Sequence, residues 1–403
     1  MKTKTKTTWR KVKLGEVADI KMGQSPRSEF YNSRGEGLPF YQGVTDFGEK
    51  YPKKSIYCSQ PTKIAEAGDV FFSVRAPVGN VNVAIEKSCI GRGVAALRMK
   101  NGNNDFLYFF LKNYERYFKN ISGGTTYESI NKDQIEDIEL SIPEDPNEQK
   151  RIADVLSAFD EKIELNNKIN QTLEQMAQAI FKEWFVKFRF PGYEKTKFVN
   201  SELGQIPKGW KIGKIKDVVG VISGYPFSSR LYSPKDGLGV VTIKNVQDGQ
   251  FITEFNSFIK KENIPTNLNS TYYLKSGDII LSLTGNVGRV CFVYGGEYLL
   301  NQRVAKLVPK RPNDFAYCYF LFRQGTMQNY MINMAKGSAQ PNLSPVEMSN
   351  TSLVIPPSET LDDFSKIAAP IYERILNNSN QYMFLTSLRD LLLPKLMNGG
   401  IRV

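Results

Sequence analysis

The sequence predicts an α+β protein built from two homologous α/β domains separated by two long antiparallel coiled-coil helices, with pseudo-two-fold symmetry. Three observations predict it. The chain repeats its motifs in one order at a nearly constant offset. Each repeat mixes short β-branched runs with helical ones. Each repeat is then followed by a stretch carrying an uninterrupted heptad.

The repeat opens with Trp9-Arg-Lys-Val-Lys-Leu14-Gly-Glu16-Val17, matched by Trp210-Lys-Ile-Gly-Lys-Ile215-Lys-Asp217-Val218 at an offset of 201. Gly23 then meets Gly224, and Gly68-Asp69-Val-Phe-Phe-Ser73 meets Gly277-Asp278-Ile-Ile-Leu-Ser282. Val78-Gly79 pairs with Val287-Gly288, Val94-Ala95 with Val304-Ala305, and Leu140-Ser-Ile-Pro143 with Leu353-Val-Ile-Pro356. A period this long excludes a solenoid and describes two domains. Within them, Asp69–Val74 and Asp278–Leu283 read as strands bounded by glycine. Phe106–Phe118 and Phe315–Met334 have helical spacing with aromatics on most faces, as buried helices do.

From Asn147 no glycine or proline occurs until Pro191. Pro146 and Asn147 mark a helix start, with Glu148 favourable in the first turn. Ile152, Phe159, Asn166, Leu173 and Ile180 occupy one seam position, and Leu156, Ile163, Asn170, Ala177 and Trp184 the other. At an offset of 212, Phe364, Ile371, Asn378, Leu385 and Leu392 form the matching seam, followed by Ala368, Ile375, Tyr382, Arg389 and Leu396. Polar residues at seam positions fix register at a cost in stability, so Asn166, Asn170 and Asn378 are the register candidates. Antiparallel pairing would put the polar breaks in one layer. Pro370 is expected to kink the second helix or delay its start. The boundaries read as 1–145 for the first domain, 146–190 for the central helical spacer, 191–357 for the second domain and 358–403 for the distal helical spacer. A helix of about forty residues spans roughly 60 Å, enough to set the separation of two half-sites on a duplex.

Composition narrows function. The chain has 403 residues, 41% hydrophobic and 12% aromatic, so it can fill more than one core. No apolar run is long enough to span a membrane, and no apolar region follows the basic start Met1–Lys6, so the cytoplasm is expected. Fifty-three lysines and arginines against 41 acidic residues leave a formal charge of +12, which attracts polyanions. The chain has no histidine, which removes Ser-His-Asp and Cys-His catalysis and every histidine-ligated metal. Cys58, Cys89, Cys291 and Cys318 form no C-x-x-C pair and read as small buried hydrophobes, so no metal is expected.

Further motifs recur in both halves: Gly23-Gln-Ser-Pro26 and Ser223-Gly-Tyr-Pro-Phe-Ser228, Arg75-Ala-Pro-Val-Gly79 and Thr284-Gly-Asn-Val-Gly288, Ile90-Gly-Arg-Gly93 and Leu300-Asn-Gln-Arg303. The first half ends in Ile142-Pro143 leading to Glu148-Gln149 and Ile152. In this order, twice over, the chain resembles the specificity subunit of type I restriction–modification systems, across almost its whole length. The resemblance implies two target-recognition domains on an antiparallel helical spacer, and a bipartite double-stranded DNA target with one half-site per domain. It also implies two methyltransferase subunits and further restriction motor subunits as partners. S-adenosylmethionine and ATP would belong to those partners, and this chain would hold no cofactor or catalytic residue. The sequence agrees in lacking an Asn/Asp-Pro-Pro-Tyr/Phe motif and a Walker lysine loop. It departs at the second helix entry, where Pro356-Pro357-Ser-Glu359-Thr lacks the Glu-Gln pair.

Base edges are read by side chains offering matched donors and acceptors, and glycine lets backbone approach phosphate. The candidates in the first half are Gln24, Ser25, Arg27, Arg34, Gln42, Arg75, Arg92, Thr125, Thr126 and Tyr127. In the second they are Tyr225, Ser228, Ser229, Arg230, Lys244, Asn245, Asn286, Arg289, Gln302, Arg303, Ser338, Gln340 and Asn342. Against this, the glycines and prolines could simply shape turns, Arg92 or Arg303 could satisfy buried carbonyls, and exposed arginines and lysines are most often just solvated. For partner contact, the outer helix faces and Phe181, Trp184, Phe185 and Phe188 are candidates, unless those rings pack on their own domain. Two other readings stay open: a nuclease or methyltransferase, for which no acidic cluster or methyl-donor loop is seen, and an adaptor binding protein or glycan.

Overall fold

The computed structural model describes residues 8–121, 129–335 and 341–403. The chain divides into two compact units, Met1–Lys162 with Leu385–Val403, and Ile163–Phe384, a partition that cuts both long helices.

The duplication is legible strand by strand. In the first unit Trp9–Lys13 pairs antiparallel with Glu139–Pro143, and in the second Lys211–Lys214 pairs with Ser352–Ile355. A four-stranded antiparallel sheet follows in each, ordered Ala18–Met22, Val94–Met99, Val70–Ser73, Val81–Val83 in one and Val219–Ser223, Val304–Pro309, Ile279–Ser282, Val290–Phe292 in the other. Each unit then has a five-stranded sheet of short strands with one parallel pair. That pair is Leu38–Tyr41 with Ser88–Ile90 in one unit, and Leu238–Val241 with Tyr298–Leu300 in the other. The predicted central strands are buried along their length, as expected of apolar runs without alternation.

A helix closes each core. In the first unit Asn104–Ile121 buries Phe106, Leu107, Phe109 and Phe110 against the four-stranded sheet. In the second the predicted single helix is two, Phe315–Arg323 and Gly325–Ala335, because Gln324 is extended. Gly325 follows this break, and glycine is a weak helix former. Cys58, Cys89, Cys291 and Cys318 are all buried.

The first long helix runs Pro146–Phe181 and continues through a π-helical turn, Lys182–Val186. Asp145 caps it, its Oδ1 accepting the Asn147 N–H at 2.9 Å. Glu148 and Gln149 are buried at this entry, where Gln149 donates to the Pro143 carbonyl and accepts from Asn101 and Asn103. The Glu-Gln pair therefore fastens helix to domain within one unit. The second long helix runs Ser358–Met397, so Pro370 does not delay its start. All twenty seam residues assigned from the heptads are buried or half-buried.

The antiparallel sense is read inside each unit. In the first, Ile152 and Leu156 share a core with Leu393 and Leu396, and Asp160 pairs with Arg389 at 2.8 Å. In the second, Asn166 meets Gln381, Asn170 meets Asn378, and Phe181 meets Phe364. Rising numbers on one helix face falling numbers on the other. Phe181, Trp184 and Phe185 pack into their own unit around Tyr317 and Phe364, the first two buried and Phe185 half-buried.

Candidate nucleic-acid interface

The recurring motifs assemble at one place in each unit, through the same backbone hydrogen bonds. Gly23 N–H donates to Val94 and Gly224 N–H to Val304, at 2.9 and 3.0 Å. Gln24 donates to Ile90 and Tyr225 to Leu300, at 3.0 and 2.9 Å. Val74 donates to Gly93 and Leu283 to Arg303, both at 3.0 Å. Ile130 donates to Val74 and Leu343 to Leu283, at 3.0 and 2.8 Å. Three loops and the segment before the last short helix are thus tied into one cluster, twice.

Glycine is needed here for space. A Cβ on Gly23 would lie 2.2 Å from the Gly91 carbonyl oxygen, and one on Gly224 would lie 2.1 Å from that of Asn301. Gly93 approaches the Gln42 carbonyl as closely, at 2.1 Å for its added Cβ. Gln42 is therefore drawn into the first cluster, where Asp46 Oδ2 accepts its N–H at 2.6 Å.

Most of the candidate side chains stand outward. Gln24, Arg27, Gln42, Arg75 and Arg92 are exposed in the first unit, and Ser25 is half-buried, accepting the Arg92 N–H at 3.2 Å. Arg34 is exposed on a separate turn, where it pairs with Glu36, and no contact ties it to the cluster. In the second unit Ser228, Ser229, Arg230, Lys244, Asn286, Gln302, Arg303 and Asn342 are exposed, and Tyr225 is half-buried beside Phe227 and Tyr272. Thr125, Thr126, Tyr127, Ser338 and Gln340 lie outside the described residues.

Asn245 is a correction. It is 2% exposed, and its Oδ1 accepts from the N–H and hydroxyl of Thr242 while its Nδ2 donates to the Ile252 and Glu254 carbonyls. With every polar valence engaged, it holds a turn and has nothing to offer a base.

Gln247, Asp248 and Arg323, which the sequence did not single out, support the second cluster. Arg289, half-buried, donates to Gln247. The adjoining Asp248 pairs with Arg323 and accepts from Gln328 at 2.6 Å. Arg323, with a side chain 10% exposed, also donates to Glu174 on the first long helix at 2.9 Å. A run of polar contacts thus connects that helix to the Asn286–Arg289 loop, beside a cleft of about 430 Å³. No spacing in the sequence signals it.

Of the register asparagines, Asn170 and Asn378 meet, while Asn166 bonds to Gln381. Asn166 and Asn378 are 0% and 1% exposed, and Asn378 donates to Asn170 at 2.8 Å while Asn170 reaches Ser379 at 3.2 Å. The Oδ1 atoms of Asn166 and Asn378 have no hydrogen-bond partner among the described residues. The described residues hold no cluster of three metal-ligating side chains. Burial pushes the Cys89 thiol up to about 11 and raises those of Cys291 and Cys318 further. No helix among the described residues is long and apolar enough to cross a membrane.

Fold and site define a duplicated α+β protein, each of whose two units presents a loop cluster rich in exposed polar and cationic side chains. The type I restriction modification DNA specificity domain matches twice, over residues 6–175 and 207–381, and the chain belongs to that family of type I specificity subunits. It is 29% identical to the type I restriction enzyme MjaIX specificity subunit of Methanocaldococcus jannaschii, covering 98% of this chain and 94% of that one. It is 27% identical to the HindI specificity subunit of Haemophilus influenzae, over 85% and 88% of the two chains. The fold matches the crystal structure of a type I restriction–modification S subunit from M. genitalium with a TM-score of 0.60, at 17% identity and 98% coverage of both chains.

Proposed function

We propose that this chain selects a bipartite DNA target, each unit's loop cluster reading one half-site, and that it brings methyltransferase and restriction subunits to that target without catalysing a reaction itself. One observation carries the reading. The two clusters share a backbone frame, bond for bond, while their side chains differ: Gln24 stands where the other has Tyr225, and Arg92 where it has Gln302. A shared frame with divergent outward groups is what two reading heads for different sequences need, since phosphate contacts position a protein and base contacts specify the sequence.

The partners would meet exposed apolar side chains on the long helices, such as Leu165, Met176 and Phe384. S-adenosylmethionine and ATP would bind those partners. The test is to map methylated adenines in cells with and without this gene. A two-part motif that vanishes on deletion supports the proposal; an unchanged methylation pattern refutes it.

A further inference from the structure

Residues 187–216 hold eight lysines and arginines against two glutamates, an excess equal to half the chain's formal charge of +12. The segment lies wholly in the second unit. We infer that it is a second DNA-binding surface, which grips the phosphates of the duplex beyond the half-site without reading sequence.

Its frame is a hairpin, Phe198–Ser201 with Gly204–Pro207, followed by the strand Lys211–Lys214. The segment turns away from the first long helix at Phe188, which adopts a left-handed φ of 58°, unusual for a residue with a side chain. The Phe188 and Phe190 rings pack on Trp210 at 5.3 Å, and Phe188 also meets Phe198 at 6.2 Å, so the hairpin is pinned at its base.

Lys195, Lys197, Lys208, Lys211 and Lys214 are exposed, and none has a carboxylate partner among the described residues. Lys197 and Lys208 face each other across the base of the hairpin, where the Lys208 N–H donates to the Lys197 carbonyl at 2.7 Å. Like charges in opposed positions repel, and a polyanion relieves them. Lys214 lies at the start of the turn into strand Val219–Ser223, whose other end enters the Gly224 loop. Five residues of strand span about 17 Å, or roughly five base-pair steps of 3.4 Å, so the lysines would fall on phosphates flanking the half-site. Among the described residues the first unit has no such hairpin.

The inference rests on the recognition reading, and one titration separates the two. The full chain, assembled with its methylating subunits, is titrated against target and unrelated duplexes over a range of salt concentrations. The variant Lys195→Gln/Lys197→Gln/Lys208→Gln/Lys211→Gln should weaken both duplexes by the same factor, tenfold or more at moderate salt. It should also flatten the slope of log K against log salt by about 3 to 4, at roughly 0.9 per lost phosphate contact. The matching Lys→Arg variant should retain the slope. An unchanged slope, or a loss confined to the target duplex, overturns the inference alone. So does a variant that binds DNA normally but no longer holds the methylating subunits, which would place a protein on this surface. If the unsubstituted assembly shows no salt-dependent binding to either duplex, the recognition reading itself fails.

Discussion

Replacing Gly224 by alanine tests how the second loop cluster is built. The new Cβ would lie 2.1 Å from the Asn301 carbonyl oxygen, 2.3 Å from its carbon and 2.6 Å from the Leu300 oxygen. Ordinary contact begins near 3.4 Å, and all three obstacles are backbone, so the loop has to move by about 1 Å. Two hydrogen bonds hold it there, Gly224 to Val304 and Tyr225 to Leu300. Overpacking of this kind costs about 1 to 3 kcal/mol, and each strained hydrogen bond roughly 1 more. The sum centres near 4 kcal/mol, which lowers the melting temperature of a unit of this size by roughly 8 to 16 °C. Differential scanning calorimetry reads the shift, and methylation mapping should show weakened recognition at one half-site only. A variant that melts within a degree of the parent, with both half-sites intact, would refute the account of why glycine stands there.

Three other perturbations follow from the same geometry. Asn166→Leu removes a buried carbonyl oxygen without a partner and sacrifices only a bond to exposed Gln381, so urea denaturation should show a gain of about 1 to 2 kcal/mol. A loss of similar size would mean that the asparagine stabilises the pair. Asp160→Ala leaves Lys50, whose side chain is 13% exposed, without a carboxylate and strips Arg389, 17% exposed, of one of its two, Asp390 remaining at 3.0 Å, and should cost about 2 to 3 kcal/mol. A cost below 1 kcal/mol by the same method would show the pair to be ornamental. The Cys89 thiol, raised from 9.0 to about 11 by burial, keeps its proton in the folded state where the unfolded chain has lost it. Stability should therefore fall as pH rises between those values, and substituting Cys89 by alanine should flatten that part of the profile. An unaltered slope in the variant would count against it.

Much of this architecture was readable because periodicity reports burial. The heptad seams held at every position, since an apolar residue every third or fourth place has one way to leave water. The motif pairs landed on matched backbone bonds because each contains a glycine or a strand end that the frame requires. Other features carry no such signal. Phe315–Met334 reads as one helix although Arg323-Gln324-Gly325-Thr326 interrupts its apolar pattern, because a lone glycine inside a helical pattern is often tolerated and does not by itself mark a break. The five-stranded sheets include strands of two residues, too short to show alternation. The hairpin at Phe198–Pro207 is equally silent, with exposed apolar residues on its first strand. Asn245 reads as a base contact in the sequence because a carboxamide looks the same whether it faces a base or four backbone and hydroxyl groups.

Division of labour between the two units is the claim on which the functional account stands. Exchanging residues 191–357 for the matching domain of a relative with a different target, then sequencing methylated adenines, addresses it directly. The account predicts a hybrid motif in which one half-site changes to the relative's and the other is retained. If both half-sites change, or neither does, the units do not read DNA independently and the account is wrong.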